Sequence, residues 1–239
     1  MTKDMNNGAI VLCGGRSNRM GRDKATLPFG PECMLQRVVR LLAEVVELSK
    51  IVVVAAVGQD VPALPSAVQI VRDTRPDRGP LEGLATGLRA LNRQVTAVYA
   101  TSCDVPLLVP QFARRMFELL DDNDIVVPRE REFRHPLSAV YRVSVLPKIH
   151  TLLDTDRLSF KSLFDEVRTR EIPVEDLRSV DPTLSTLQNL NLPEDYLVVA
   201  HDLAVQISNA GYTAHLYARD VEQHLLPEAD PQQNITAGP

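Results

Sequence analysis

The chain has 239 residues, 44% of them apolar, enough to bury the core of one large α/β domain or of a domain with an appendage. Its net charge of -5 argues against general nucleic-acid binding, which usually needs a basic face. No apolar stretch approaches the roughly 18 residues of a membrane span, and residues 1–8 are polar with no signal-peptide core, so no membrane association and a cytoplasmic location are expected.

The first predicted element is a buried strand, Ala9-Ile10-Val11-Leu12. The stretch from Gly14 to Lys24 follows it. Two adjacent glycines, Gly14 and Gly15, let a backbone turn tightly and approach a ligand with no Cβ in the way. N–H groups in such a turn converge on an anion, and Arg16, Arg19, Arg22 and Lys24 add positive charge. This combination suits a polyphosphate; the plain alternative is a strand-to-helix turn with a solvated basic face. It is not a Walker A loop, because Lys24 is followed by Ala25, and the glycine spacing is not that of a dinucleotide fingerprint.

Met34, Leu35, Val38, Leu41, Leu42 and Val45 then recur at helical spacing. Ile51-Val52-Val53-Val54 is a β-branched run typical of a strand covered on both faces. A shorter strand, Gln69-Ile70-Val71, leads into Arg72-Asp73 and a turn-rich segment, 74–79. Pro80 suits the first position of a helix whose buried stripe is Leu81, Leu84, Leu88 and Leu91. The next strand, Ala97-Val98-Tyr99-Ala100, ends at Cys103-Asp104-Val105-Pro106. A helix over 110–120 follows, with Phe112, Met116, Leu119 and Leu120 inward. Strands are predicted at 125–127 and 137–141, separated by a charged loop at 129–134. Helical segments at 143–153 and 159–167 precede a short edge strand at 171–174. Pro193 opens a last helix through about residue 208. The chain divides into a domain over 1–200 and an extension over 201–239, with a strand at 212–217, an anchor at Leu225-Leu226 and a disordered end from Pro227.

Alternating strands and helices predict a mostly parallel sheet with helices on both faces. Ligands of such sheets bind beyond the carboxyl ends of the strands. That rule brings the Gly14 stretch, Arg72-Asp73 and Cys103-Asp104 to one rim. At the rim, Asp104 is either a ligand for Mg2+, which takes one or two carboxylates plus phosphate oxygens and waters, or the cap of the next turn. Asp73 before Thr74 is by itself an ordinary turn residue. His135 before Pro136 has no partner acid in the sequence and is given no catalytic role. Asn189 and Asn191 alternate in an extended stretch, so their amides point to one side and line a pocket; Pro193, Glu194 and Asp195 then start a helix. Cys13, Cys33 and Cys103 lack metal-ligand spacing and are expected as reduced thiols.

Leu12-Cys13-Gly14-Gly15, then Arg19-Met20-Gly21 and Lys24, resembles the opening of the molybdenum cofactor guanylyltransferases, the MobA-type nucleotidyltransferases. Cys103-Asp104-Val105-Pro106, Gly79-Pro80-Leu81-Glu82-Gly83-Leu84, His135-Pro136 and the segment from Asn189 to Asp195 resemble further family blocks in the family's order, over about residues 8–197. The resemblance implies a three-layer αβα, Rossmann-like nucleotidyltransferase fold. It implies transfer of GMP from GTP to the terminal phosphate of molybdopterin, or of molybdenum-molybdopterin, with release of pyrophosphate. In that scheme Leu12, Cys13, Gly14, Gly15, Lys24, Asp73, Asp104, Asn189 and Asn191 bind the nucleotide. Arg19 and Lys24 neutralise phosphate oxygens, Asp104 holds Mg2+, and residues 129–135 lie toward the acceptor. Molybdoenzyme-maturation proteins are the implied protein partners.

One departure bears on the base. The family carries an Asn just after the second strand, and residues 53–58 contain none. Cytidylyl transfer, or transfer to a sugar phosphate, is therefore the alternative within enzymes. The Gly14-Gly15 pair favours the guanylyl branch over the cytidylyl branch, which usually reads Ala-Ala-Gly. A non-catalytic nucleotide- or cofactor-binding module is the alternative outside enzymes. Lys24 and Asp104 argue against it, because a pure binder has less need of a metal carboxylate.

Overall fold

The computed structural model describes residues 6–14, 23–73, 75, 78–191, 195, 196 and 199. Its elements in chain order are β1 (Asn7–Leu12), β2 (Pro28–Phe29), β3 (Glu32–Cys33), α1 (Met34–Leu42), β4 (Ile51–Ala56), β5 (Gln69–Asp73) and α2 (Gly79–Leu91). These are followed by β6 (Ala97–Ser102), α3 (Pro110–Glu118), β7 (Ile125–Glu130), β8 (Phe133–Arg134), β9 (Ser138–Arg142), α4 (Leu146–Asp154), α5 (Phe160–Phe164) and β10 (Thr169–Pro173).

The main sheet runs β10-β7-β9-β6-β1-β4-β5, with β8 paired to β7. β1 is parallel to β4 and β6, β4 to β5, and β7 to β10. β9 runs antiparallel between β6 and β7. The chain returns from β7 to β9 through the short β8 arm, and a connection that short cannot make the crossover a parallel pair needs. The expected mostly parallel sheet is thus present, with one reversed strand inside it.

The strands are apolar on both faces because both faces are covered. Ala9 and Val11 point into one core with residues of α1 and α3, including Leu35, Val38, Phe112 and Met116. Ile10 and Leu12 point into the other, with Leu81, Leu84 and Leu88 of α2 and Ile149 and Leu153 of α4. Period-two alternation within one strand therefore feeds two helical layers, which is the three-layer αβα arrangement. A third, small cluster packs Leu190 and Tyr196 on Leu27, Phe29 and Met34. It holds the chain after β10 against the β2–β3 hairpin, a pair of two-residue strands that apolar periodicity does not predict.

Several expected bounds shift. The helix expected to reach Val45 ends at Leu42. The segment from 143 opens as a 3-10 turn before α4, and the segment at 159–167 holds only the five-residue α5. The charged stretch at 129–134 is the end of β7 and its β8 hairpin rather than a loop. The edge strand expected at 171–174 is β10. Most of the helix expected after Pro193, and everything expected beyond residue 200, lies outside the described residues. Cys13, Cys33 and Cys103 are free thiols, as expected. No helix among the described residues is long and apolar enough to cross a membrane.

Helix α2 lies close on β1. A Cβ at Gly83 would meet Leu12 Cδ2 at 3.2 Å, so this glycine serves helix-to-sheet packing. At Gly87 a Cβ would come within 2.7 Å of Ile10 Cγ2 and 2.8 Å of its Cδ1. Ile10 is fully buried and has little room to yield. Replacing Gly87 with Ala should therefore destabilise the fold by about 1–3 kcal/mol, the usual cost of overpacking, although Ala is the better helix former by about 1 kcal/mol. Thermal or denaturant unfolding checks this; an unchanged or raised midpoint would mean that Ile10 moves aside freely.

Candidate functional site

Strand order reverses at β1. The chain proceeds outward from β1 to β4 and β5, then returns to place β6 on the other side of β1. In open α/β sheets the crevice at such a point, beyond the carboxyl ends, is where ligands bind. Here it lies between the ends of β1 and β6, which lead into Cys13-Gly14 and Cys103-Asp104. The two ends are tied together by a hydrogen bond from Cys103 N to Leu12 O, 3.1 Å.

Five side chains converge there. Lys24 Nζ donates to Asp104 Oδ2 at 2.9 Å and to Asn191 Oδ1 at 2.7 Å. Asn189 Nδ2 donates to Asp104 Oδ1 at 3.0 Å, and the Ser102 hydroxyl donates to the same oxygen. The Lys24 and Asp104 side chains are 15% and 13% exposed. Asn189 and Asn191 reach the same pair because Leu190 between them points the other way, into the cluster with Met34 and Tyr196. Leu190 N also donates to Asp104 O at 2.9 Å. The two amides therefore share one side of an extended stretch, as their spacing implied.

Local chemistry sets Lys24. It opens a 3-10 turn, Lys24–Thr26, whose cap is Asp23. Asp23 Oδ1 accepts from Ala25 N at 3.0 Å. The other Asp23 oxygen accepts from Gln59 Nε2 at 2.6 Å, and the same Gln59 nitrogen donates to Cys13 O at 3.1 Å. Neither Asp23 nor Gln59 stands out in the sequence. The one available signal is Gly58 just after β4, whose φ of +78° marks a sharp turn.

Gly14 is exposed, and a Cβ on it would lie 3.6 Å from Ala56 N, an ordinary contact. Packing among the described residues does not demand a glycine there. Cys13 is buried, and the adjacent Cys103 thiol, then burial, push its pKa well above the usual thiol range. Its side chain stays neutral, and its backbone N–H is spent on Val54 O at 2.8 Å.

Other expected residues stand apart. Asp73 ends β5, and its Oδ1 accepts from Arg75 N at 3.0 Å, which is the ordinary turn role. No hydrogen bond among the described residues links it to the Lys24–Asp104 group. Gly15 and Arg19 lie outside the described residues. Arg129 and Arg134 pair with Glu171 of β10 at 3.0 and 2.6 Å. Burial holds His135 below the usual histidine pKa, against an opposing pull from Glu130, so it is neutral near pH 7. Its ring meets Phe133 edge-on.

Among the described residues no three His, Cys, Asp or Glu side chains gather closely enough to cage a metal. A lone carboxylate such as Asp104 is a donor that a hard divalent cation can use when phosphate oxygens and water complete its shell.

Residues 9–170 match the family model of the MobA-like NTP transferase domain. A protein of Pelotomaculum thermopropionicum, named a probable molybdenum cofactor guanylyltransferase, is 31% identical over 195 residues, covering 82% of this chain and 92% of its own. A Carboxydothermus hydrogenoformans protein of the same name is 33% identical over 187 residues, covering 78% and 91%. Among solved structures, molybdopterin-guanine dinucleotide biosynthesis protein A of Archaeoglobus fulgidus superposes with a TM-score of 0.66 at 18% identity, over 82% of this chain and 97% of that one. The 2-C-methyl-D-erythritol 4-phosphate cytidylyltransferase of Thermus thermophilus gives 0.60 at 12% identity, over 82% and 98%. At such identities these two structures speak for the fold, which is the one described above. The family model and the two close relatives go further: the chain belongs to the MobA-like NTP transferase family and is a nucleotidyltransferase.

Proposed function

We propose that the protein transfers GMP from GTP to the terminal phosphate of molybdopterin, or molybdenum-molybdopterin, releasing pyrophosphate in molybdenum cofactor biosynthesis. The observation that carries this reading is the convergence of Lys24, Asp104, Asn189 and Asn191 at the β1/β6 crevice. Its relatives' names supply the base and the acceptor.

The acceptor phosphate is already ionised, so its oxygen attacks the α-phosphorus without a strong general base. The bond from the α-phosphorus to the bridging oxygen of the β-phosphate breaks, and pyrophosphate leaves with the electron pair. Positioning and charge neutralisation then account for catalysis. Lys24 has three N–H donors, and Asp104 and Asn191 take two of them. The third serves a phosphate oxygen. Exposed Gly14 gives the triphosphate close access to backbone, and Leu12, Cys13 and Gly15 belong to the same nucleotide-binding stretch of the sequence. Asn189 holds the Asp104 carboxylate in place. Asp104 would hold Mg2+, which when bound supplies positive charge to the triphosphate and to the departing pyrophosphate. Arg19 adds charge to the same phosphates, and Asp73 borders the nucleotide from β5. The carboxyl end of β7 opens on the same rim, which supports a role for residues 129–135 toward the acceptor. The reaction belongs to the cytoplasm, and its product passes to molybdoenzyme-maturation proteins.

Thermal unfolding with GTP, CTP, ATP or UTP, each with and without Mg2+, tests the base. A ligand of the folded state adds about 2.7 kcal/mol at a hundredfold excess over its Kd. GTP is expected to stabilise and the other three are not; a CTP preference would replace guanylyl by cytidylyl transfer, and no response to any nucleotide would favour a non-catalytic module. Asp104→Asn keeps the shape and removes the charge. It should lower pyrophosphate release on the order of 10²–10³-fold, the scale of losing one electrostatic stabiliser. An unimpaired rate would remove Asp104 from the chemistry. Lys24→Met should raise the KM for GTP and lower kcat together, since its charge meets phosphate in both the bound and the reacting state.

A further inference from the structure

We propose that Gln59 is a positioning residue for Lys24. This inference rests on the role given to Lys24 above. Strand β4 ends at Ala56, and the chain turns back at once. Gln59 N donates to Ala56 O at 3.2 Å, with Gly58 at φ +78° in the third place of the turn. That place in a type II turn needs a left-handed backbone and so favours glycine. The turn aims the Gln59 amide back over the rim rather than into solvent.

The amide is then engaged at both its oxygen and its nitrogen. Its Oε1 accepts from Ala56 N at 2.9 Å. Its two N–H groups go to Cys13 O at 3.1 Å and Asp23 Oδ2 at 2.6 Å. Cys13 immediately precedes Gly14, and Asp23 immediately precedes Lys24. One side chain therefore ties both flanks of the Gly14–Lys24 stretch to the end of β4. Arg72 braces the turn from β5, donating to Ala56 O at 3.0 Å and to Gln59 O at 2.7 Å.

The consequence falls on Lys24. The Asp23 carboxylate is held by Gln59 on one oxygen and caps Ala25 N with the other. Its orientation fixes the 3-10 turn that starts at Lys24. Without Gln59 the cap can rotate and the ammonium loses its fixed approach to Asp104 and Asn191. A residue that only stabilised the fold would have no such specific effect. With both N–H groups engaged inside the protein, the Gln59 amide has no donor left for a base.

Gln59→Leu keeps the bulk and removes the amide. It is expected to lower kcat/KM for GTP at least tenfold at a temperature where the fold is intact. In a Lys24→Met background the same change should cost almost nothing further, because Gln59 acts through Lys24. Acetic anhydride labelling followed by mass spectrometry gives a readout free of activity. Lys24 should label several-fold faster in Gln59→Leu, with Lys148 and Lys161 unchanged. Asp23→Ser still offers a cap to Ala25 but is too short to reach Gln59, so it carries the same expectations should Gln59→Leu not fold. Unchanged kcat/KM with unchanged Lys24 labelling overturns the proposal, whatever happens to thermal stability. So does a loss that adds in full to that of Lys24→Met. If the unmodified protein transfers no nucleotide, the reading of its function fails, and the labelling alone decides the role of Gln59.

Discussion

Strand β1 hydrogen-bonds along its whole length to β6 on one edge and along residues 9–12 to β4 on the other. The three strands run the same way, so their carboxyl ends stop at one level. Those ends carry one part of the candidate site: Cys13 and Gly14 from β1, Ala56 and Gln59 from β4, Asp104 from β6. The register Leu12↔Val54 and Leu12↔Ser102 sets their relative height. A slip of one residue would turn Ile10 and Leu12 into the wrong helical layer. The apolar cores on the two faces thus hold the geometry of the polar rim.

The rim carries its own electrostatic constraint. Lys24 and Asp104 are mostly withdrawn from water, and such a pair loses hydration that its mutual attraction does not by itself return. Three further polar groups offset that loss. Ser102 and Asn189 take one carboxylate oxygen, and Asn191 takes part of the ammonium. Removing one charge leaves the other buried and uncompensated, so this site depends on all its members.

Much of this is legible in the residues. The runs at 9–12, 51–54 and 97–100 are apolar at every position, as strands covered on both faces must be, and each is fully strand. Asp104 stands out because an acid comes soon after such a run and just before Val105-Pro106. Asn189 and Asn191 stand out because their spacing matches the two-residue period of extended chain. The β2–β3 hairpin leaves no comparable mark, since two residues per strand cannot show a period. Gln59 is equally hidden, because a side chain that bonds backbone has no pattern beyond the turn that aims it. The rim rule placed Asp73 correctly at the end of β5 but says nothing about what its carboxylate bonds. The short chain after Asp73 absorbs it in a local turn.

The small cluster of Leu27, Phe29, Met34, Leu190 and Tyr196 joins the chain around β2 and β3 to the chain after β10. Lys24 and Asn191, which it brings together, lie 167 residues apart in sequence. Contacts of such separation are closed late, because the loop entropy must be met before they contribute. During synthesis the sheet strands from β1 to β10 can all emerge while Lys24 and Asp104 still lack their amides. Assembly of the rim therefore waits on a segment made after every strand of the sheet.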